Sequence, residues 1–424
     1  MKTDIIIAGG GAAGSMAAWL ASEADFDVTL LEKRDRYHYK PCSGVFPLHA
    51  LKHFPKIPES WFERDHVTMR PISPKNDALL DSREFDTILG KIILRSRFDG
   101  LTLDQAEKRG AVIKENTTIR NITVKNDGVS VEARDASGNN QEVTGDVLFL
   151  ATGTSGYNLH DQVGLEKPSF VESGIGEFKA SETHIEEVLS SGAYHYYLNR
   201  RVSSCGPFWI TCRKETFNAG IIDFKTSEQK VRSVIAHDPR IKPLFEDVKE
   251  NVPEGQKKTY SKALIPSGPI KKPFNNRVLA LGDAAGLPHV FYYEGVWEGR
   301  ESARLAVETI KMLRDEGTQP TKENLIEYKK RLARNLVNKF LRSGRRNSWL
   351  FWKAMSDETL WYYFCDTLHK KRKFRKLLTR CFAEDYAEAK EDFDRIAGEM
   401  IFGNIPILKK MLYAPYFLKA SSIK

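Results

Sequence analysis

The residues whose types and spacing could do chemistry begin with three glycines. Gly9, Gly11 and Gly14 follow the apolar run Ile5-Ile6-Ile7-Ala8 and lead into a segment of helical spacing. Between a buried strand and a helix, each glycine has a job: Gly9 allows the turn, Gly11 lets backbone approach a pyrophosphate, and Gly14 permits close helix-to-strand packing. The helix start, including Ala12 and Ala13, offers unpaired N–H groups and the positive end of the helix dipole. Val28-Thr-Leu-Leu then ends at Glu32, an acid about 20 residues on that can accept hydrogen bonds from a ribose hydroxyl. A 2′-phosphate would be repelled there, so the nucleotide is FAD or NAD rather than NADP. Far along the chain, Arg277-Val-Leu-Ala-Leu-Gly-Asp283-Ala-Ala-Gly286 repeats the strand-to-turn pattern. An aspartate at such a turn can bond a ribityl hydroxyl of FAD, and the helix that begins at Val296 would face the isoalloxazine edge. The five cysteines, at 42, 205, 212, 365 and 381, form no CxxC pair and no Cys/His cluster. That pattern predicts a reducing compartment and no structural metal.

The pair of motifs resembles the flavoprotein fold of para-hydroxybenzoate hydroxylase and its relatives. Between them, Ile93-Leu-Arg95-Ser-Arg-Phe-Asp99 followed by Ala106-Glu-Lys-Arg-Gly-Ala111 is similar to that fold's arginine-plus-helix segment. Within the fold, Tyr39-Lys-Pro41-Cys42-Ser43-Gly44 resembles the proline-cysteine-glycine loop of geranylgeranyl reductases, which saturate isoprenoid chains. The resemblance covers residues 1 to about 310 and implies FAD bound by Gly9, Gly11, Ala12, Ala13, Gly14, Glu32, Pro41, Cys42, Gly44, Arg95, Ile119, Asp283, Gly295 and Val296. It also implies hydride delivery from N5 of the reduced flavin to one alkene carbon, with a proton reaching the other. Cys42 is the family residue nearest that chemistry, as proton relay, flavin tuner or packing beneath the ring. The electron donor is NAD(P)H or a reduced ferredoxin-like carrier.

Three stretches depart from the family. Thr152-Gly153-Thr-Ser-Gly156 stands where relatives have an Asp-Gly pair that helps hold FAD and the nicotinamide cofactor. Pro207-Phe-Trp209-Ile-Thr-Cys212 retains only the tryptophan of a Tyr-x-Trp-x-Phe-Pro signature, although Asn218-Ala-Gly220-Ile matches the downstream strand. Tyr293 replaces a glycine in Leu287-Pro-His289-Val-Phe-Tyr292-Tyr293-Glu294-Gly295. His289, Tyr292 and Tyr293 are proton donors or, more in keeping with aromatics beside a flavin, walls. Trp209, Tyr292 and His289 are the candidate substrate contacts, and Tyr293 joins Cys42 as a candidate catalytic residue.

The elements that must position these residues follow from periodicity. Leu101–Arg109 and Val296–Leu313 have helical spacing. Ile119–Val124, Val129–Arg134 and Val143–Leu150 read as strands of an inserted β-meander, separated by Asn126-Asp-Gly and Ser137-Gly-Asn-Asn turns. Residues 48–90, with prolines at 55, 58, 71 and 74, show little regularity. From about 160 the pattern becomes apolar and aromatic runs, Ile175–Ala180, Ala193–Leu198, Pro207–Cys212 and Phe217–Phe224, as for a sheet with one face buried and the other offered to a ligand. Leu325–Phe340 and Asn347–Phe364 are helical; Trp349, Phe351, Trp352, Trp361, Tyr362 and Tyr363 crowd the second. Lys370-Lys-Arg-Lys-Phe-Arg-Lys376 follows.

The predicted architecture is α/β: a Rossmann-like FAD-binding domain (1–160 and 271–315) with its meander, an antiparallel substrate-binding sheet domain (161–270), and a helical C-terminal region (316–424). A chain of 424 residues can bury such a core. The net charge of +9 fits a solvated surface, anionic lipid or nucleic acid; without a reader motif, nucleic acid is not expected. Aromatics beside cations are what an anionic membrane surface would hold, and the alternative is a helical cap with aromatic core. No signal peptide and no uncharged run of about 20 residues is expected. The sequence therefore predicts a cytoplasmic monomer, peripheral on the inner face of the cell membrane, that reduces isoprenoid lipids with FAD. A flavin-dependent aromatic monooxygenase and a non-catalytic flavoprotein for lipid binding or electron transfer are the alternatives.

Overall fold

A computed structural model describes residues 2–52, 57–189, 193–354, 359–383 and 386–423. The chain separates into two compact units: Met1–His38, Ser96–Phe170 and Ile265–Leu341 form one, and Tyr39–Arg95, Val171–Leu264 and Arg342–Lys424 form the other.

In the first unit the labelled elements are β1 (Lys2–Ala8), α1 (Ala12–Glu23), β2 (Val28–Leu31), α2 (Arg95–Lys108), β3 (Val112–Lys114), β4 (Thr118–Val124), β5 (Val129–Arg134), β6 (Asn140–Leu150), β7 (Val278–Ala280) and α3 (Val296–Asp315). The sheet runs Phe274–Asn275, β7, β6, β1, β2, β3, and its central neighbours are parallel. Ile5, Ile6, Ile7 and Ala8 are fully buried, as a parallel strand covered on both faces requires. β4 and β5 form the antiparallel meander on β6. The strand expected at Val143–Leu150 starts earlier: β6 is eleven residues long, its first half pairing with β5 and its second with β1 and β7. One long strand thus carries both the meander and the parallel core within a single sheet, and no turn interrupts it.

The second unit is built on a mixed sheet in the order Lys249–Glu250, Phe170–Lys179, Thr216–Asp223, Phe208–Cys212, Ala193–Tyr197, Thr68–Ile72, Leu80–Asp81, with Tyr260–Pro266 beside Phe170–Lys179. Side chains alternate across a strand. One face carries Phe178, Tyr197, Phe208, Ile210, Cys212, Phe217, Ala219 and Ile221, all in one apolar core with Val231 and Ile241. The opposite face carries Glu177, Asn218, Gly220, Trp209, Thr211, Tyr194 and Tyr196, paired across the strands.

Two boundaries differ from the sequence expectation. Residues 39–95, expected in the nucleotide domain, cluster with the sheet, because Thr68–Ile72 pairs in parallel with Ala193–Tyr197. The helical tail also divides: Tyr328, fully buried, donates its hydroxyl to Ala280 O at 2.9 Å within the first unit, whereas residues from Arg342 onward pack with the second. In that tail Phe351, Trp352, Trp361 and Tyr363 are buried, with Trp352 and Trp361 centroids 5.1 Å apart. The cations after them are tied locally, Arg375 to Glu84 at 2.7 Å and Lys370 to Asp366 at 2.9 Å. Four of the six aromatics at 349–363 are therefore core, with Trp349 and Tyr362 partly buried.

Candidate functional site

In the first unit the glycine turn is forced by packing. Gly9 has φ +102°, and a Cβ there would lie 2.6 Å from Ala151 O. A Cβ on Gly14 would sit 1.8 Å from Gly9 O, so helix α1 can lie this close to β1 only with glycine. Gly11 is the N-cap of α1 and no side chain caps it, which leaves the first-turn N–H groups of Ala12, Ala13 and Gly14 without intrahelical acceptors. Glu32, 6% exposed, accepts from Gly10 N at 2.6 Å and from Arg34 N at 3.2 Å. Its carboxylate is thereby fixed beside the loop with lone pairs left over for ribose hydroxyls. Ile119 lies on β4, two residues beyond Thr117, whose N–H reaches Glu32 O at 2.8 Å.

The second motif meets the first. Gly282 has φ +56°, and a Cβ on it would stand 3.1 Å from Ala13 Cβ; one on Gly299 of α3 would stand 3.4 Å from the same atom. A Cβ on Gly295, the uncapped start of α3, would lie 3.3 Å from Asp283 Oδ1. The starts of α1 and α3, the Gly282-Asp283 turn and Val296 are therefore neighbours, and two positive helix ends converge where a polyanion would sit. Ser302 braces the turn: its Oγ accepts from Gly282 N at 3.0 Å and donates to Gly299 O at 2.6 Å. His160 donates from Nε2 to Ala284 O at 2.9 Å; burial lowers its pKa, so it serves as a neutral strut.

Sequence reasoning missed Tyr157 and the side chain of Thr152. Both hydroxyls are buried with no hydrogen-bond partner, and burial followed by the charge of Asp283 raises the Tyr157 pKa. Orphaned buried donors beside the Asp283 turn fit a bound polar group. The signal was available in the Thr152–Gly156 departure: a Cβ on Gly156 would lie 2.3 Å from Thr152 Cβ, so this turn is as constrained as the first.

The aromatic loop after Gly286 is packed against its own neighbours. His289 is fully buried between Tyr292, stacked at 5.0 Å, and Phe340 at 4.3 Å, and its Nδ1 accepts from Tyr292 N at 3.3 Å. Tyr293 has φ +56°, the left-handed conformation that a glycine adopts freely and a tyrosine at a cost of about 1 kcal/mol. The bonds Tyr293 N to His289 O and His289 N to Glu294 O, both 2.7 Å, hold it there.

In the second unit the Cys42 loop is clamped to the polar face of the sheet. Asn218 Nδ2 donates to Cys42 O at 2.8 Å, Arg213 Nη2 to the same oxygen at 3.5 Å, and Trp209 Nε1 to Asn218 Oδ1 at 3.2 Å. Arg213 also pairs with Glu177 at 2.8 Å, both side chains almost wholly buried. Tyr39 completes the group by donating to Glu177 Oε1 at 3.1 Å. Burial opposes the charge on Arg213, yet Glu177 more than compensates and its pKa rises. The thiol is half-buried; Arg95 Nη1 lies 3.9 Å from Sγ and Gly44 N lies 3.5 Å from it. Gly44, at φ +77°, would press a Cβ to 2.4 Å from Ile93 O. Pro41, Cys42, Gly44, Arg95 and Trp209 are thus together in this unit. Trp209 is a buried prop: its indole lies where a Cβ on Gly220 would be, 2.2 Å away. Glu177, Arg213 and Tyr39 were not anticipated, because partners on a strand and two connecting segments far apart in the chain leave no spacing to read.

A glycine turn between β1 and α1, an acid at the end of β2 and a second Gly-Asp turn at the start of α3 define a dinucleotide-binding unit of the flavoprotein kind. The chain belongs to the FAD binding domain family, which its residues 2–290 match. Among curated proteins, it is 25% identical over 328 residues to a digeranylgeranylglycerophospholipid reductase of Methanosarcina acetivorans, covering 72% of this chain and 74% of the relative. It is 23% identical over 335 residues to a geranylgeranyl diphosphate reductase of Synechocystis, covering 77% and 80%. A solved geranylgeranyl bacteriochlorophyll reductase-like protein of Thermoplasma acidophilum superposes with a TM-score of 0.75 at 16% identity over 92% of this chain and 97% of its own, which shows the fold. Among the described residues, no group of His, Cys, Asp or Glu could hold a metal ion, and no helix is long and apolar enough to cross a membrane.

Proposed function

We propose that the protein is an FAD-dependent reductase that saturates isolated double bonds in the isoprenoid chains of a lipid. The observation that carries the reading is the clamped Pro41-Cys42-Ser43-Gly44 loop, whose thiol is kept half-buried beside Arg95 and Gly44 N. The names of the curated relatives support the same substrate class. When bound and reduced, FAD supplies the hydride.

The chain does the rest. The nucleotide unit binds FAD: the α1 and α3 starts take its pyrophosphate, Glu32 the ribose and Asp283 the ribityl chain, with Ile119 contributing backbone and Tyr157 a protonated hydroxyl. The sheet unit binds the prenyl chain on the face that carries Trp209, Tyr194 and Tyr196. An unactivated alkene needs a dry site in which proximity supplies much of the acceleration. Cys42 moves or steers the proton; Tyr293, Tyr292 and His289 act as walls. A protein with this substrate works as a monomer at the cytoplasmic surface of a membrane.

The test is anaerobic. The dithionite-reduced protein is mixed with a geranylgeranylated phospholipid, and mass spectrometry should show stepwise gain of one H2 per double bond. Cys42→Ala should keep its flavin and lose about a hundredfold in rate, the usual worth of a positioned proton donor. Parallel reductions with NADH, NADPH and a reduced ferredoxin identify the donor. An unchanged lipid, with aromatic-substrate-dependent oxygen consumption by the reduced protein, refutes the reading in favour of a monooxygenase.

A further inference from the structure

The helix Ile407–Ser422 presents apolar side chains to solvent where a solvated cap would present polar ones. Ile407, Leu408, Met411, Leu412 and Leu418 are 74%, 79%, 76%, 68% and 71% exposed, while Tyr413 and Ala420 are buried. With 3.6 residues per turn, the five exposed side chains and Tyr416 occupy one half of the helix circumference, and Tyr413, Phe417 and Ala420 the other. The helix is docked on that second half. Arg346 caps its end, donating to Ile423 O at 2.9 Å and Ser421 O at 2.7 Å, and Tyr416 lies 6.5 Å from Trp349. A contiguous apolar face on the outside of a packed helix marks a contact surface.

Charge identifies the partner. Residues 404–424 hold four lysines, at 409, 410, 419 and 424, and no acid. Lys409 and Lys419 are exposed, Lys409 at the edge of the apolar face and Lys419 within its arc at the C-terminal end of the helix, both extended over aromatic rings: Lys409 Nζ is 5.9 Å from the Tyr363 ring and Lys419 Nζ 5.3 Å from Trp349. Arg342, Arg345 and Arg346, on the segment that receives the helix, add more cations. A second copy docked on the same face would set these lysines against their own counterparts, with no acid on the helix to meet them. An anionic lipid leaflet offers the complement to both features, phosphates for the lysines and acyl chains for the leucines.

We propose that this helix lies in the plane of an anionic membrane, with Ile407, Leu408, Met411, Leu412 and Leu418 at the headgroup–acyl boundary and Lys409 and Lys419 on lipid phosphates. The contact deepens the lipid-substrate reading above, which explains why such a surface is present. It moves the membrane contact from the aromatic segment at 349–363 to the helix Ile407–Ser422.

Vesicle flotation tests it without substrate or reductant, so the outcome is independent of reductase activity. The FAD-loaded full chain should float with phosphatidylcholine vesicles containing phosphatidylglycerol and much less with phosphatidylcholine alone. Leu408→Ser/Met411→Ser/Leu412→Ser should weaken binding at least about tenfold, and Lys409→Gln and Lys419→Gln about fivefold each, on anionic vesicles only. Leu79→Ser, an exposed leucine elsewhere, should change nothing; flavin content and circular dichroism verify folding of every variant. Absence of wild-type flotation, or a triple variant that floats like the wild type, overturns the proposal. So does a dimer in light scattering that the triple variant converts to monomer without any vesicle binding, which would assign the face to a second copy.

Discussion

Replacing Glu177 by leucine should cost far more than replacing Glu177 and Arg213 together. The pair is 2.8 Å apart with side chains 2% and 3% exposed. Arg213 cannot neutralise itself by losing its proton. In Glu177→Leu its guanidinium stays buried, with the Cys42 carbonyl at 3.5 Å as its remaining described acceptor. Breaking a buried pair by removing one partner costs about 3–5 kcal/mol. The stranded Tyr39 hydroxyl adds about 1–3 kcal/mol, and partial relaxation toward solvent brings the sum to about 4 kcal/mol. Glu177→Leu/Arg213→Met removes both charges and should fall within about 2 kcal/mol of wild type, the remainder being the Tyr39 term. A chain of two units does not unfold in two states, so the assay is native-state hydrogen exchange of Phe170–Lys179, Phe208–Cys212 and Thr216–Asp223, which reports local stability. Because the same guanidinium touches the Cys42 carbonyl, Glu177→Leu should also speed reaction of Cys42 with a thiol reagent. A single variant that loses less than about 1 kcal/mol, or a double variant as unstable as the single, would refute the view that this pair holds the loop.

Two further outcomes test other parts of the structure. Gly14→Ala should purify with little or no flavin, read as the ratio of flavin to protein absorbance, since its Cβ would lie 1.8 Å from Gly9 O; Gly398→Ala, with nothing within 4 Å, should keep its flavin. His195, 2% exposed with Nε2 3.0 Å from Leu189 O, has its pKa pushed down to about 4 by burial and then by Arg70. Below the unfolded value of about 6.5 the unfolded chain binds the extra proton, so stability falls as pH drops from about 6.5 to about 4, by about 3 kcal/mol in all. His195→Phe should lose that component of the pH dependence of local stability, read by native-state hydrogen exchange of Ala193–Tyr197 across that window, and an unchanged slope would show that the ring is not buried neutral.

The parts of this fold that were legible in the sequence are those where a short stretch carries its own reason. β1, the glycine turn and α1 can be read because backbone approach demands glycine at 9 and 14, and the meander because Asn126-Asp-Gly and Ser137-Gly-Asn-Asn are local turns. Thr68–Ile72 was not legible. It contains Arg70 and Pro71 and becomes a strand through pairing with Ala193–Tyr197, more than a hundred positions away, with Leu198 N bonded to Ile72 O at 2.8 Å. The Glu177–Arg213–Asn218 clamp was hidden for the same reason: Glu177 and Asn218 sit on different strands and Arg213 in the turn after Phe208–Cys212, and sheet register brings them to Cys42. Family resemblance marked Asn218 and Gly220 as a small-residue strand, but only the structure shows why, with Gly220 vacating the space that the Trp209 indole fills.

The C-terminal helices show a different limit, one of sign. Helical spacing identifies an apolar stripe but not which way it faces, and Ile407–Ser422 is apolar on both sides, Tyr413 and Phe417 on one, Leu408 and Met411 on the other. The stretch 349–363, richer in aromatics and nearer the densest cations, is the better membrane candidate by composition. The structure reverses the order. The segment turns π-helical at Ala333–Leu341 and Trp349–Ala354, and consecutive large residues such as Leu350, Phe351 and Trp352 are all buried, as in a helix covered on every side rather than along one stripe. Aromatic mass went inward to make a core, and the aliphatic face was left outside with lysines at its edge and within its arc. Burial, rather than composition, is what separates the two, because the same residues that stabilise a core when covered make a docking surface when they are not.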